Sequence, residues 1–121
     1  MKAEDLDVFK LSHQLVIKIY KLTETFPYTE KFGLISQMRR AASSIPTNLM
    51  EGSHRISKNE YKYFVSISRG SCGEIKYQLM LSRDIDYINK DTCSEILSEY
   101  ERVSMMLTKL YSSLREDRER K

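Results

Sequence analysis

Two runs of apolar residues at heptad spacing limit what this chain can fold into. Tyr61, Val65, Ser68, Cys72, Ile75 and Leu79 follow one another at alternating intervals of four and three residues, and Ile96, Tyr100, Val103, Leu107, Leu110 and Leu114 repeat the pattern. Such spacing holds one side of a helix against a partner over its whole length, so each run needs another long helix to cover it. Breakers are scarce, with four Gly and two Pro in 121 residues, which disfavours many short strands joined by turns. A chain of this length fits one domain. Its 40% hydrophobic and 31% charged residues belong to a globular protein and not to a disordered one.

Four helices are predicted, at about 5–25, 30–53, 58–86 and 90–115, followed by a charged tail at 116–121. The first carries two adjacent apolar stripes: Leu6, Phe9, His13, Val16 and Tyr20 beside Val8, Leu11, Leu15, Ile19 and Leu22. One stripe suffices to face a core, so the second predicts packing against something outside the bundle. Phe26-Pro27 ends this helix. The second is expected to start at Thr29 as N-cap and to bury Leu34, Ile35, Met38, Ala41, Ala42, Ile45 and Leu49. Pro46 inside it predicts a kink in preference to two separate helices. Ser57 and Glu60 fit a capping box for the third, with Ile56 and Tyr61 as its hydrophobic staple. Gly70 and Gly73, beside Ser68 and Ser71, suggest close approach of a neighbouring helix. Asn89 caps the fourth. Short connections make sequential helices antiparallel neighbours, so the fold class is all-α: a single-domain, up-down-up-down four-helix bundle over residues 1–121.

Little in the chain points to chemistry. His13 lies on an apolar stripe and His54 near a helix end, where an imidazolium suits the dipole. Glu51-Gly52-Ser53-His54 matches the Glu-x-x-His of di-iron bundles, but such a site needs two copies plus two further glutamates, and one copy is present. Neither a Gly-rich phosphate loop nor a Cys-x-x-Cys pair nor a nucleophile elbow occurs. Cys72 and Cys93 read as reduced thiols inside packed seams. The acidic, polar start and the lack of a membrane-length apolar run make the cytoplasm the expected location. Neither catalysis nor a cofactor is expected.

The net charge of +3 is unevenly spread. Residues 31–83 hold nine Lys and Arg against three Asp and Glu, whereas the flanking segments are slightly acidic. The central excess is either a fluctuation of a solvated surface or a face for an acidic partner. Arg39, Arg40, Arg55, Lys58, Lys62, Arg69 and Lys76 are the candidate nucleic-acid contacts, with Tyr61, Tyr63 and Tyr77 among them. Tyrosine at helical spacing is also common core filler. Gln37, Arg40, Ser44, Asn48, Glu51 and Arg55 recur along the second helix as a polar stripe. For Gln37, Ser44, Asn48 and Glu51 a structural role is expected, with Glu51 pairing Arg40 or Arg55.

Phe26-Pro27, Gly33-Leu34, Gln37, Arg39 to Ala42, Ser44 to Pro46, Asn48, Glu51-Gly52 and Arg55 form a long, specific motif. It resembles that of the 23S rRNA intervening-sequence proteins, a four-helix-bundle family also called S23 ribosomal proteins. Arg69-Gly70-Ser71, Glu74 and Leu79 extend the likeness into the third helix, and Met50 departs from it where the family has Ala. The first and fourth helices agree in pattern more than in identity. The resemblance implies a ring, typically a homopentamer, and kinship with accessory proteins of diversity-generating retroelements, which bind a reverse transcriptase and nucleic acid through a basic surface. The expected function is a non-catalytic, oligomeric nucleic-acid-binding accessory protein, RNA being the first candidate ligand. The alternative is an interaction scaffold for a reverse-transcriptase-like partner.

Overall fold

The structure is a computed structural model that describes residues 2–115. After a 3-10 turn at Ala3–Asp5 come α1 (Asp7–Thr23), α2 (Leu34–Ser53), α3 (Lys58–Asp84) and α4 (Lys90–Ser113). Backbone contacts join α1–α2, α2–α3, α3–α4 and α4–α1, with α2–α3 the most extensive. Met38 meets Ser82, Ile45 meets Ser68, and Gly52 meets Tyr61 and Phe64, so α2 and α3 run antiparallel. Leu79 with Cys93, Cys72 with Tyr100 and Lys62 with Tyr111 show the same for α3 and α4. The result is the expected all-α bundle. The expected tail at 116–121 lies outside the described residues.

The two heptad runs are the inner faces. Val65, Ser68, Cys72, Ile75 and Leu79 of α3 are buried, as are Cys93, Ile96, Tyr100, Val103 and Leu107 of α4, while Tyr61, Leu110 and Leu114 pack at the edge. The α2 face is Leu34, Met38, Ala41, Ala42, Ile45 and Leu49, with Ile35 half-buried. Pro46 is buried within α2, which continues through it as one helix. Lacking an N–H, Pro46 leaves the Ala42 carbonyl without its usual helical donor.

In α1 the core stripe is Val8, Ser12, Leu15, Ile19 and Thr23, which the apolar pattern alone does not mark. Ser12 Oγ donates to the Phe9 carbonyl at 3.0 Å and Thr23 Oγ1 to the Ile19 carbonyl at 2.7 Å. These bonds within the helix let two hydroxyls sit in the core without unmet polar groups. His13, whose apolar stripe suggests the core or an interface, is exposed and not in the core, because rotation toward Ser12 and Thr23 turns it outward.

The helix ends depart from expectation at several points. Residues Tyr28–Glu30 form a 3-10 turn, and α2 begins only at Leu34 with Gly33 as N-cap, so Thr29 is not the cap. Glu30 supplies the side-chain acceptor that Gly33 lacks: its Oε1 accepts the Leu34 N–H at 3.3 Å and its Oε2 accepts the Tyr87 hydroxyl at 2.8 Å. One carboxylate thereby joins the α1–α2 and α3–α4 connections. Ser57 caps α3 through the Glu60 N–H at 3.1 Å, but Ile56 is fully exposed, so the staple with Tyr61 does not form. Asn89 caps α4 by accepting from the Thr92 N–H at 2.7 Å. α3 ends in a Schellman turn, with Tyr87 N–H to the Ser82 carbonyl at 2.8 Å, Asp86 N–H to the Arg83 carbonyl at 3.1 Å, and Asp86 left-handed at φ 66°.

Gly70 and Gly73 are exposed, and a Cβ built on either meets nothing within 4 Å. Among the described residues the close approach read from them does not occur. The glycine that permits one is Gly52, where a Cβ would lie 2.9 Å from both Phe64 Cβ and Tyr61 Cδ1. Gly52→Ala is therefore expected to lower unfolding free energy by about 1–3 kcal/mol. Gly70→Ala and Gly73→Ala are expected to raise it by up to about 1 kcal/mol each, because only helix propensity changes. Urea denaturation of the three variants checks the sign of each.

Candidate nucleic-acid interface

The basic residues of the central helices fall along three different edges of the bundle. On the α1–α2 edge, Arg39 Nε donates to Thr23 Oγ1 at 2.9 Å, and its guanidinium stacks 4.5 Å from the centre of the Tyr20 ring. Arg39 thus closes α1 against α2.

The α2–α3 edge holds the polar stripe. Arg40 pairs with Glu74 at 2.7 Å, Ser44 and Ser71 share a 2.8 Å hydrogen bond, and Asn48 Nδ2 donates to Ser44 Oγ at 2.9 Å. Glu51 pairs with Arg55 at 2.6 Å, and Arg55 also lies over the Phe64 ring. Gln37 is exposed at the start of this stripe. Each arginine here has its own carboxylate, so the edge adds little net field despite its two cations. Exposed pairs of this kind are worth at most about 1 kcal/mol.

The α3–α4 edge differs. Lys62, Arg69 and Lys76 recur at heptad spacing and line the α4 side of α3. Lys62 sits over the Tyr111 ring, 4.8 Å from its centre, and Lys76 pairs with Glu101. Arg69 makes no ion pair among the described residues. Between the helices runs a groove of about 420 Å³ lined by Ser66, Arg69, Gly70, Gly73, Lys76 and Ser104. A smaller hollow of about 140 Å³ continues it past Thr108 to Tyr111. Among the described residues these three cations have one paired carboxylate, Glu101, and Ser104 and Thr108 of α4 offer neutral hydroxyls on the opposite wall. Lys58 stands apart as the first residue of α3. The structure thus brings together Lys62, Arg69 and Lys76 and separates them from Arg39, Arg40 and Arg55. Tyr111 belongs to this groove too, and nothing in its sequence neighbourhood marks it.

A second concavity, of about 460 Å³, lies between α1 and α2 and is largely apolar. Phe9, Val16, Pro46 and Met50 line it, with His13 and Glu51 among its polar members. It contains part of the extra stripe of α1.

Among the described residues no group of three or more His, Cys, Asp and Glu is placed to hold a metal ion, and no helix is long and apolar enough to cross a membrane. Cys72 and Cys93 are free and buried; their thiols donate to the Tyr100 carbonyl at 3.3 Å and the Leu79 carbonyl at 3.5 Å. Burial pushes the Cys72 thiol up to about 11, against the pull of Lys76 and Arg69. A thiol so held is not a nucleophile near neutrality. As pH rises from the ordinary thiol value of 9.0 toward about 11, the unfolded chain gives up a proton that the folded chain keeps. Stability is therefore expected to fall across that window, with the Cys72 contribution fully retained below it. Denaturant titrations between those pH values should show a shallower fall in Cys72→Ala than in the parent chain.

The sequence profile described as "23S rRNA-intervening sequence protein" matches residues 4–109. No curated protein matches the chain. Among solved structures, a protein of unknown function from the S23 ribosomal protein family of Bacteroides thetaiotaomicron VPI-5482 superposes with a TM-score of 0.81. The two share 21% identity, and the alignment covers 93% of this chain and 99% of the other, which establishes likeness of fold. With the profile matched along nearly its whole length, the chain belongs to the 23S rRNA-intervening sequence protein family.

Proposed function

We propose that this protein is a non-catalytic accessory factor of the cytoplasm that binds nucleic acid, RNA first among candidates, through the groove between α3 and α4. The observation that carries this reading is the largely uncompensated charge of Lys62, Arg69 and Lys76 along a groove with neutral polar walls. These side chains would displace the counterions condensed on the phosphates, giving affinity without cofactor or covalent chemistry. Assembly with copies of itself, as a homopentamer, belongs to the same reading. The half-exposed apolar residues of α1 and the groove at Phe9, Val16, Pro46 and Met50 support it.

That apolar groove also favours a second reading, in which the chain is a scaffold for a protein partner of the reverse-transcriptase kind and its cations serve solubility. A partner retained after nuclease treatment would speak for it.

Titration of a labelled structured RNA at several salt concentrations separates the two. With three cations engaged, log K is expected to fall against log salt with a slope of roughly −2 to −3. Arg69→Glu should weaken binding by about tenfold or more, while Arg40→Glu, on the compensated edge, should change it far less. Absence of binding at low salt, or binding without a salt slope, contradicts the proposal. For assembly, light scattering at micromolar concentration should show an oligomer that Val16→Glu dissociates with helicity retained. A monomeric parent chain would refute that part.

A further inference from the structure

The outward face of α3 carries more than charge. Residues 63, 70 and 77 lie one heptad apart and so fall on nearly one line along the helix. They are Tyr63, Gly70 and Tyr77, with Tyr63 63% exposed and Tyr77 64% exposed. Most other tyrosines are engaged: Tyr20 lies under Arg39, Tyr28 near Lys31, Tyr111 under Lys62, Tyr87 on Glu30, and Tyr100 in the core. Among the described residues Tyr77 has neither a cation over its ring nor a hydrogen bond on its hydroxyl, and the one ring contact of Tyr63 is with the edge-on ring of Phe64 at 5.3 Å. Between them the floor is low, because Gly70, Gly73 and Ser66 have minimal side chains. No packing among the described residues requires the two glycines. Lys62, Arg69 and Lys76 run parallel to this line on its α4 side, bordering the groove.

A double helix offers this face its phosphates and base edges but no base faces, since its bases are stacked on one another. A single strand offers base faces as well, and aromatic side chains beside a cationic groove are what bind them without regard to sequence. The two rings lie about 21 Å apart along α3, which at a stacked rise of about 3.4 Å corresponds to about six nucleotides. We propose that the outer face of α3 is a track for single-stranded nucleic acid. Bases stack on Tyr63 and Tyr77, the strand between them crosses the floor at Gly70 and Gly73, and phosphates lie along Lys62, Arg69 and Lys76. The inference rests on the nucleic-acid reading above and narrows it to the single-stranded form.

The test compares a labelled single-stranded RNA of about 12 nucleotides with its blunt duplex, at about 50 mM salt, on the full chain. Tyr63→Leu, Tyr77→Leu, their double variant and Gly70→Ala/Gly73→Ala are measured beside it. The chain has eight Tyr and no Trp, so its intrinsic emission reports on tyrosine directly. The single strand should bind at least about tenfold more tightly than the duplex and quench tyrosine emission, and each Tyr→Leu should weaken it by at least about fivefold with little change in duplex binding. The glycine double variant should melt higher than the parent yet bind the single strand more weakly, a combination that a merely structural role would not produce. Equal binding of both forms, unmoved by the tyrosine variants, would overturn this inference and leave the nucleic-acid reading standing. Failure of every oligonucleotide to bind, with capture of an acidic helical peptide on the same face, would overturn both.

Discussion

From inside the core, Ser68 donates to the Ile45 carbonyl at 2.9 Å, at the residue immediately before Pro46. Farther along the same seam, Gly52 lets the Tyr61 and Phe64 side chains pass against the α2 backbone. These two contacts fix both the separation and the rotation of α2 and α3, the pair with the largest interface. Of the two, rotation has the wider consequences. With Ser68, Cys72 and Ile75 inward, helical geometry turns Ser71 and Glu74 toward α2, Arg69 and Lys76 toward α4, and Tyr63, Gly70 and Tyr77 toward solvent. Every surface property of α3 descends from that one seam.

The basic character of residues 31–83 is real in the sequence but does not make one face. α2 and α3 share the excess, and each helix presents its cations to two neighbours. Carboxylates then sort them: Glu74 and Glu51 neutralise Arg40 and Arg55, and Glu101 neutralises Lys76 alone among three. Pairing of this sort has little consequence for stability in high dielectric, but it decides where a field survives. The groove beside α4 keeps one because the wall opposite Arg69 carries Ser104 and Thr108 in place of acids.

Much of the bundle was legible because heptad spacing is a property of the chain itself. The inner faces of α2, α3 and α4 and the caps at Ser57 and Asn89 follow from local patterns. Elements that depend on distant partners were not legible. Ser12 and Thr23 are core residues only because their hydroxyls are bonded to carbonyls of their own helix, so hydrophobicity misreads them and with them the rotation of α1. α2 starts at Leu34, whose N–H bonds to Glu30, and Glu30 is in turn held by Tyr87, fifty-seven residues away. Asp86 takes a left-handed position that usually signals glycine. For the candidate site, residue types were readable and grouping was not: three of seven cations share the α3–α4 edge, Arg69 and Lys76 lining its groove and Lys62 lying over Tyr111 of α4.

If nucleic acid engages the α3–α4 surface, and not the polar edge of α2, amide chemical-shift mapping of the full chain against single-stranded RNA shows it most directly. Perturbations should concentrate between residues 62 and 77 of α3 and between 101 and 111 of α4, with the stretch from Arg40 to Arg55 largely unmoved. Perturbations centred on Arg40 to Arg55, or confined to the α1–α2 groove, would contradict that assignment.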